Sequence, residues 1–560
     1  MGYVVFYTFQ LESGYLNHVI EVFERIGYLE SGYMNHVISV FERLRYVVFY
    51  IFQQESGYLN HVISVFDRIG YVEESGYLNH VISVFERIGY VVFYIFQQES
   101  GYLNHVISVF ERRGYDVFNI FQLESGYLNH VISVFERIGY AVGDNKSDWD
   151  VLWSHEYPFV QLAKKISNLK PHQKVNHFPG SGFITSKVHL AVSINPYIPR
   201  AFRIPKEKDK FLQYAEEHPD TLWVKKRNNH RGIKITNVQE LDLSEEGSFV
   251  QVFVDRPFLI DGRKFDIGVY TILTSINPLR VYTIETEASI RFCSQDYYPF
   301  DARNTSKYVV RDDFTPVWKM PSLKKLNREL NFNFKESLNA YLERKGHNVR
   351  KLWRDISAAI RTVYLQKEAA IISASNMFSS SRNFFELVRF DFAVDEDLNV
   401  HLMEVNMSPN LSSDHIPRNA EMYDKVMFNL LSVVLVTRPV KNDFYKSSED
   451  EANMRVSDKD ISVFPEWCLS KSCLHSCRDE KCKLCSQCVS LTMKKTLKLA
   501  YLEHINKGNC GRVFPPKMTE DFALEWSPST KDREFQSLNK RNKLMYMWFV
   551  GKCRQSAAWC

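Results

Sequence analysis

"FFELVRFDFAVDEDLNVHLMEVN", residues 384–406, decides the fold. Two strand-like runs flank the turn-like DEDLN. A hairpin centred near Asp397–Leu398 sets Asp391 roughly opposite Glu404. Glu404 and Asn406 lie two apart, so on a strand they share a face. Three oxygen ligands then converge. Mg²⁺ favours such a set, a few hard oxygens with phosphates and water completing an octahedron. The alternative is a solvated sheet edge. Two polar groups among Met403, Val405 and Met407 would be costly if buried without a partner.

A phosphate site also needs cations. "LWVKKRNNHRGIKI" supplies Lys225 on a strand and a loop ending in Arg231–Gly232–Ile233. "DGRKFDIGVY" supplies Lys264 and Asp266, again on one face, and "EASIRF" places Arg291 between apolar neighbours. Each alone is weak, because a strand lysine is usually just exposed. Their order and spacing with Asp391, Glu404 and Asn406 carry the signal.

Around these motifs the chain reads as α/β, in the α+β sense. From about Tyr115 to Phe202 the pattern is βαβ with further helix. Strands dominate 248–292, helices 322–375, and strands return at 384–406 before a helix at about 420–437. The expected domains are 1–114, 115–202, 203–440 and a Cys-rich extension, 441–560.

The first of these is one unit copied in tandem. ESGYLNHVIEVFERIGY begins at Glu12, with near-identical copies from Glu30, Glu55, Glu74, Glu99 and Glu124. In the last copy Leu128, Val131, Ile132, Phe135 and Ile138 fall at helical spacing and Gly139 stops the helix. A Val/Tyr/Phe-rich insert reads as a strand, so the unit is a βα pair. A binding solenoid is one reading. Duplication of a short exon is favoured, because the copies are so alike and their spacing alternates.

The chain has 560 residues and 45% hydrophobic residues, enough for a large core. Its formal net charge is only +4, so an acidic partner would need a local basic patch and nucleic acid is not expected. No run of about 18 apolar residues predicts a membrane span. The first ten residues, MGYVVFYTFQ, lack the parts of a signal peptide.

The chain resembles the tubulin–tyrosine-ligase-like family, which has the ATP-grasp fold, from about Tyr115 to Val440. The resemblance is carried by "SDWDVLWSHEYPF", "VNHFPGSGFITSKVHLA", "WVKKRNNHRGI", "VQVFVDRPFLIDGRKFD", "IRF", "FFELVRFDF" and "LMEVNMSPNL". It implies an ATP- and Mg²⁺-dependent ligase, with two metal ions expected, that joins an amino acid to a carboxylate on acidic tubulin tails. Lys187 resembles the lysine near the phosphates. Lys225 matches the lysine of the Lys-Pro motif, with Lys226 in the proline's place. Gln251 and the backbone around Val252 and Val254 resemble the adenine hinge. Lys264 and Asp266 match nucleotide contacts, Arg231 and Arg291 flank the phosphates, and Asp391, Glu404 and Asn406 match the metal ligands.

Three further positions depart from the family pattern. Gly268 stands where Lys-Phe-Asp-Leu-Arg has its arginine, removing a bidentate carboxylate clamp. Lys307 replaces an asparagine, and Arg389 replaces a glycine. Lys307 or Arg389 is then expected to hold the carboxylate, or ligation is lost and the chain is a nucleotide-binding adaptor on microtubules. Glutamate is the expected amino acid by analogy, with tyrosine and glycine open. Three basic clusters could face an acidic tail: Arg200 to Lys210, Lys226 to Arg231, and Lys324, Lys325 and Arg328. The expected location is cytoplasmic, at the cytoskeleton or cilium.

The extension leaves that location open. "CLSKSCLHSCRDEKCKLCSQC", from Cys468 to Cys488, suits a structural Zn²⁺ in a reducing cytosol. In an oxidising lumen the same residues would form disulfides.

Overall fold

The computed structural model describes residues 117–121, 128–143, 149–227, 233–437, 448–528 and 532–560. Residues 1–114, with all the earlier repeat copies, lie outside the described residues, as does Arg231. The residues described belong to one compact unit, Ile107–Cys560.

The last repeat copy folds as the βα unit its pattern predicts. Strand β1 (Val117–Phe121) leads to helix α1 (Asn129–Arg137), which buries Val131, Val134 and Phe135. Gly139 follows with φ +99°, a left-handed value that glycine adopts without strain. Strands β2 (Ala141–Gly143), β3 (Val151–Ser154) and β4 (Lys174–Val175) complete a parallel sheet in the order β2-β1-β3-β4. A short helix, α2 (Lys187–Ala191), follows.

The hairpin-like stretch after Thr221 is β6 (Trp223–Arg227) and β7 (Lys234–Thr236). With β5 (Ala201–Ile204) and β8 (Ser248–Val252) they form a small antiparallel sheet, order β5-β8-β6-β7. Its core side packs Phe202, Ile204, Phe211, Trp223 and Val250.

The third sheet is built around β10 (Arg263–Ile276), 14 residues long. β9 (Leu259–Ile260), β11 (Leu279–Ile284) and β12 (Ser289–Phe292) all pair with β10, and β13 (Thr315–Pro316) pairs with β12. On the other side β10 pairs with β14 (Glu386–Val394), which pairs with β15 (Val400–Met407). The β14–β15 turn is the expected one. Leu398 takes φ +60°, and the Asp395 carboxylate accepts hydrogen bonds from the Asp397 and Asn399 amides. That turn sets the register as far as Phe392–Leu402, and a one-residue shift between Phe392 and Asp391 then brings Asp391 opposite Glu404 instead of Met403.

Residues of β10 alternate between two faces. Phe265, Ile267 and Val269 enter the core formed with α3 (Val349–Ser375), which buries Leu352, Ile356, Ile360 and Val363. The opposite face is divided along its length. Tyr270 and Ile272 pack with Met422, Val426 and Leu430 of α4 (Ala420–Val433), while Lys264, Asp266 and Gly268 leave the other end of the same face polar. This division places the site at one end of a buried sheet.

The C-terminal region is part of this core. β16 (Cys510–Phe514) extends the large sheet by pairing with β11. Glu503 of α5 (Leu491–Ile505) accepts bonds from Arg280 Nε at 2.7 Å and Nη2 at 2.8 Å, a fully buried pair. Asn542 of α6 (Lys540–Gln555) accepts from the Leu279 amide and donates to Glu368 of α3. The expected boundary near residue 440 therefore does not separate two cores.

The zinc expectation is corrected. The cysteines pair as Cys468–Cys485, Cys473–Cys482, Cys477–Cys488 and Cys553–Cys560. A tetrahedral site needs four ligands about one point. Here each sulfur is bonded to one other, and no group of three metal-ligating His, Cys, Asp or Glu residues occurs among the described residues.

Candidate active site

The register of the large sheet aligns one row across four strands: Ser289, Gly268, Asp391 and Glu404. Side chains two residues along each strand share that face. They are Arg291, Asp266, Arg389 and Asn406. A turn, two pairings and strand periodicity thus bring together residues up to about 140 positions apart in the chain.

Asp391 is at the centre and 2% exposed. It accepts from Arg389 Nε at 2.7 Å and Nη2 at 2.9 Å, from Arg291 Nη2 at 2.9 Å and from Asn406 Nδ2 at 2.9 Å. Burial alone would raise its carboxyl, but the two guanidiniums outweigh that and hold it below the usual carboxylate range. Glu404 accepts from Lys187 Nζ of α2 at 2.6 Å and from Asn406 Nδ2 at 3.2 Å. Burial and nearby Asp391 push its carboxyl up; the Lys187 ammonium and Asn406 bring it below its ordinary value.

Cations line the facing side. Lys264 donates to Asp266 at 2.8 Å. Burial would lower its ammonium, and the Asp266 carboxylate reverses this. Lys226 donates to Gln251 Oε1 at 2.9 Å. Burial lowers its ammonium to about 8, helped by Lys187 and Lys264 and opposed by Glu404 and Asp266. Lys226 is thus near enough to Glu404, Lys187, Lys264 and Asp266 to feel their charges.

Lys225 is therefore corrected. Successive strand residues face opposite ways. Lys225 shares Trp223's side of β6 and pairs with Glu245 at 2.7 Å and Asp242 at 3.2 Å. Lys226 shares the side of Val224, whose partner across the sheet is Gln251. Of the two adjacent lysines it is Lys226, not the Lys225 of the motif alignment, that stands near the carboxylate cluster, and strand parity is the signal that separates them.

Lys307 is not brought to the cluster either. It lies in the turn Thr305–Lys307 and donates to the carbonyls of Asp296 and Pro299 at 3.1 and 3.0 Å. Gln251 also donates to the Pro199 carbonyl, and the Val252 amide donates to that of Arg200, which ties down the end of β8. Val254 follows two residues beyond that strand.

Gly268 and Arg389 belong together. They lie on adjacent strands, with Gly268 paired to Asp391 and Tyr270 to Arg389. A Cβ built at Gly268 would meet Arg389 Cδ at 2.8 Å, Arg389 Nε at 3.1 Å and Asp391 Oδ1 at 3.1 Å. The Arg389 side chain occupies the space that glycine leaves. A guanidinium is thus present over residue 268 although residue 268 is not the arginine.

The donor set fits magnesium better than a softer metal: two carboxylates and an amide, with no thiolate or imidazole among them. Two carboxylates do not enclose an ion, so substrate phosphates and water would supply the remaining ligands. Lys187, Lys226, Lys264 and Arg291 suit the anionic substrate such a metal accompanies.

Two carboxylates and an amide that suit magnesium, with lysines and arginines beside them on a large antiparallel sheet, are features of a carboxylate–amine ligase of the ATP-grasp fold. The tubulin-tyrosine ligase family model matches residues 164–443, half the chain, and the chain belongs to that family. A probable tubulin polyglutamylase, ttll-15, of Caenorhabditis elegans is 41% identical over 418 residues, 74% of this chain and 79% of that protein. Tubulin polyglutamylase TTLL7 of Homo sapiens is 25% identical over 64% of this chain and 43% of its own length. A probable beta-tubulin polyglutamylase of Tetrahymena thermophila is 26% identical over 57% of this chain and 28% of its own. The chain thus spans less than half the length of the latter two.

Proposed function

We propose that this chain uses ATP to add glutamate to the γ-carboxylates of glutamates in tubulin tails. One observation carries the reading: Asp391, Glu404 and Asn406 converge beneath a ring of cations inside the family-matching segment. Glutamate and tubulin are the choices favoured by the names of the relatives.

A carboxylate is a poor electrophile, so the acceptor γ-carboxylate takes the γ-phosphoryl group of ATP to become an acyl phosphate. The amine of free glutamate attacks that carbonyl, phosphate leaves, and an isopeptide bond forms. Phosphoryl transfer depends mainly on positioning and charge neutralisation. Lys187, Lys226 and Arg291 offset charge on the phosphates, and Lys264 with Asp266 positions the nucleotide. Mg²⁺ ions, two in number, would be held by Asp391, Glu404 and Asn406 and would neutralise phosphate charge. The Gln251–Val254 stretch is the assigned adenine contact, and Arg231 a phosphate contact. Arg389, fixed over Gly268, is the residue placed to meet a carboxylate of glutamate or acceptor.

The acceptor tail is acidic. Lys324, Lys325 and Arg328 are exposed on the helix Pro321–Arg328 and are suited to hold it. The domains assigned to this activity are the N-terminal α/β lobe, 115–202, and the ATP-grasp lobes, 203–440, with β16 completing the sheet. An acceptor in tubulin would place the chain at the cytoskeleton.

The grip of two guanidiniums on Asp391 favours one second reading, a nucleotide-binding adaptor without ligation. Labelled glutamate, tyrosine and glycine, each supplied with Mg-ATP and tubulin, separate the cases. Incorporation of glutamate alone supports the proposal. Binding of ATP with no incorporation of any of the three overturns it in favour of the adaptor.

A further inference from the structure

Within residues 468–488 one hydrocarbon side chain, Leu484, reaches the main core. The buried cluster there consists of Cys473, Cys482 and Cys485, with Cys468 and Cys488 packed against it. Leu469 and Leu474, which could have been core residues, are 75% and 55% exposed. The helices Pro465–Cys468 and Lys471–His475 are one turn each. Such a segment cannot bury enough apolar surface to hold its shape; small segments of this kind depend on covalent staples.

The pairing is complete in a telling way. Three bonds interlock within 21 residues, closing separations of 17, 9 and 11, and a fourth ties Cys553 of α6 to Cys560. The Cys560 carbonyl in turn accepts from the Met518 amide and from Arg512 of β16. The two cysteines left over, Cys293 and Cys510, are both buried. Burial pushes their thiols up to about 11 and about 12, so neither offers a thiolate for exchange. Every cysteine able to react is paired, and every unpaired one is sheltered. Disulfides persist in oxidising compartments and are rare where glutathione and thioredoxin keep thiols reduced.

We propose that Cys468–Cys485, Cys473–Cys482, Cys477–Cys488 and Cys553–Cys560 form an obligatory disulfide framework, and that the chain matures in an oxidising compartment. For each bond two thiols lose two protons and two electrons. The acceptor is the disulfide of a disulfide-donating oxidoreductase, which is reduced to its dithiol. The proposal is independent of the ligase chemistry but not of its acceptor: a chain held in an oxidising lumen would meet a carboxylate other than a cytoskeletal tubulin tail, so a lumenal result would overturn tubulin as the acceptor and leave ATP-dependent ligation standing.

The test is a thiol census on the full chain in cells that make it. Cells are lysed directly into denaturant with iodoacetamide, and the chain is analysed by mass spectrometry before and after reduction. The expected result is two alkylated cysteines, Cys293 and Cys510, rising to ten on reduction, with the four cystine peptides recovered. Eight or more alkylated cysteines before reduction would overturn the proposal, as would stoichiometric zinc on the native protein. In parallel, protease is added to intact vesicles. Digestion only after detergent supports the compartment, and digestion without detergent overturns it. Neither readout uses glutamate incorporation, so failure of the ligase assay leaves this result intact.

Discussion

Gly268→Ala tests the shared space of Gly268 and Arg389. The added Cβ would sit 2.8 Å from Arg389 Cδ, closer than such atoms approach, and 3.1 Å from both Arg389 Nε and Asp391 Oδ1. Arg389 cannot simply swing away, because two of its nitrogens are bonded to Asp391 at 2.7 and 2.9 Å. Either the strands part slightly or the bidentate pair is lost. Overpacking of this kind costs about 1–3 kcal/mol. In an Arg389→Ala background the closest obstacle is gone, and Asp391 Oδ1, at 3.1 Å and freed from Arg389, has only to give by a few tenths of an ångström. Alanine should then be favoured over glycine within the strand by about 0.5–1 kcal/mol. The two effects have opposite signs, so the double-mutant cycle should give a coupling of roughly 2 kcal/mol. Calorimetry on the full chain reads it, at about 1 °C of Tm per kcal/mol for a compact unit as large as Ile107–Cys560. Gly268→Ala should lower Tm in the wild type and leave it level or raised beside Arg389→Ala. Equal shifts in both backgrounds would refute the reasoning.

Lys226→Ala should weaken ATP binding at least about tenfold by calorimetric titration, whereas Lys225→Ala should change it little; one lost charge-assisted bond is worth about 1.5–3 kcal/mol. The same lysine gives a pH dependence. Its ammonium is lowered to about 8, so ATP affinity should be level below that pH and fall as pH rises through it, and Lys226→Arg should abolish the fall. Asp391→Asn leaves Arg389 and Arg291 buried beside a neutral amide, a loss of about 3–5 kcal/mol that thermal unfolding would report. Deleting residues 1–114 should leave ATP binding and glutamate incorporation unchanged, measured side by side with the full chain.

The sequence made the centre of the site legible because its geometry is local. A five-residue turn and a period of two bring Asp391 to within one residue of Glu404 and Asn406; the register shift after Phe392 that completes the pairing left no mark in the sequence. Lys264, Asp266 and Arg291 follow from the same periodicity. Lys225 was chosen over Lys226 because a motif fixes a position in the chain and says nothing of which way a side chain points. Arg389 registers in the sequence as a departure; that it fills the place vacated by Gly268 depends on strand register between residues 121 positions apart. β16 was illegible for a related reason. "CGRVF" is short and carries an arginine, and only its pairing with β11 makes it a strand. Zinc and disulfides share one spacing in the sequence, and it is the pairwise bonding of the cysteines in the fold that separates them.

The most direct measurement is incorporation of labelled glutamate into tubulin with Mg-ATP, comparing the wild type with Glu404→Gln. The account predicts incorporation by the wild type and its loss in the variant, with the fold retained by circular dichroism. Undiminished incorporation by Glu404→Gln, or none by a wild-type chain that binds ATP, would contradict it.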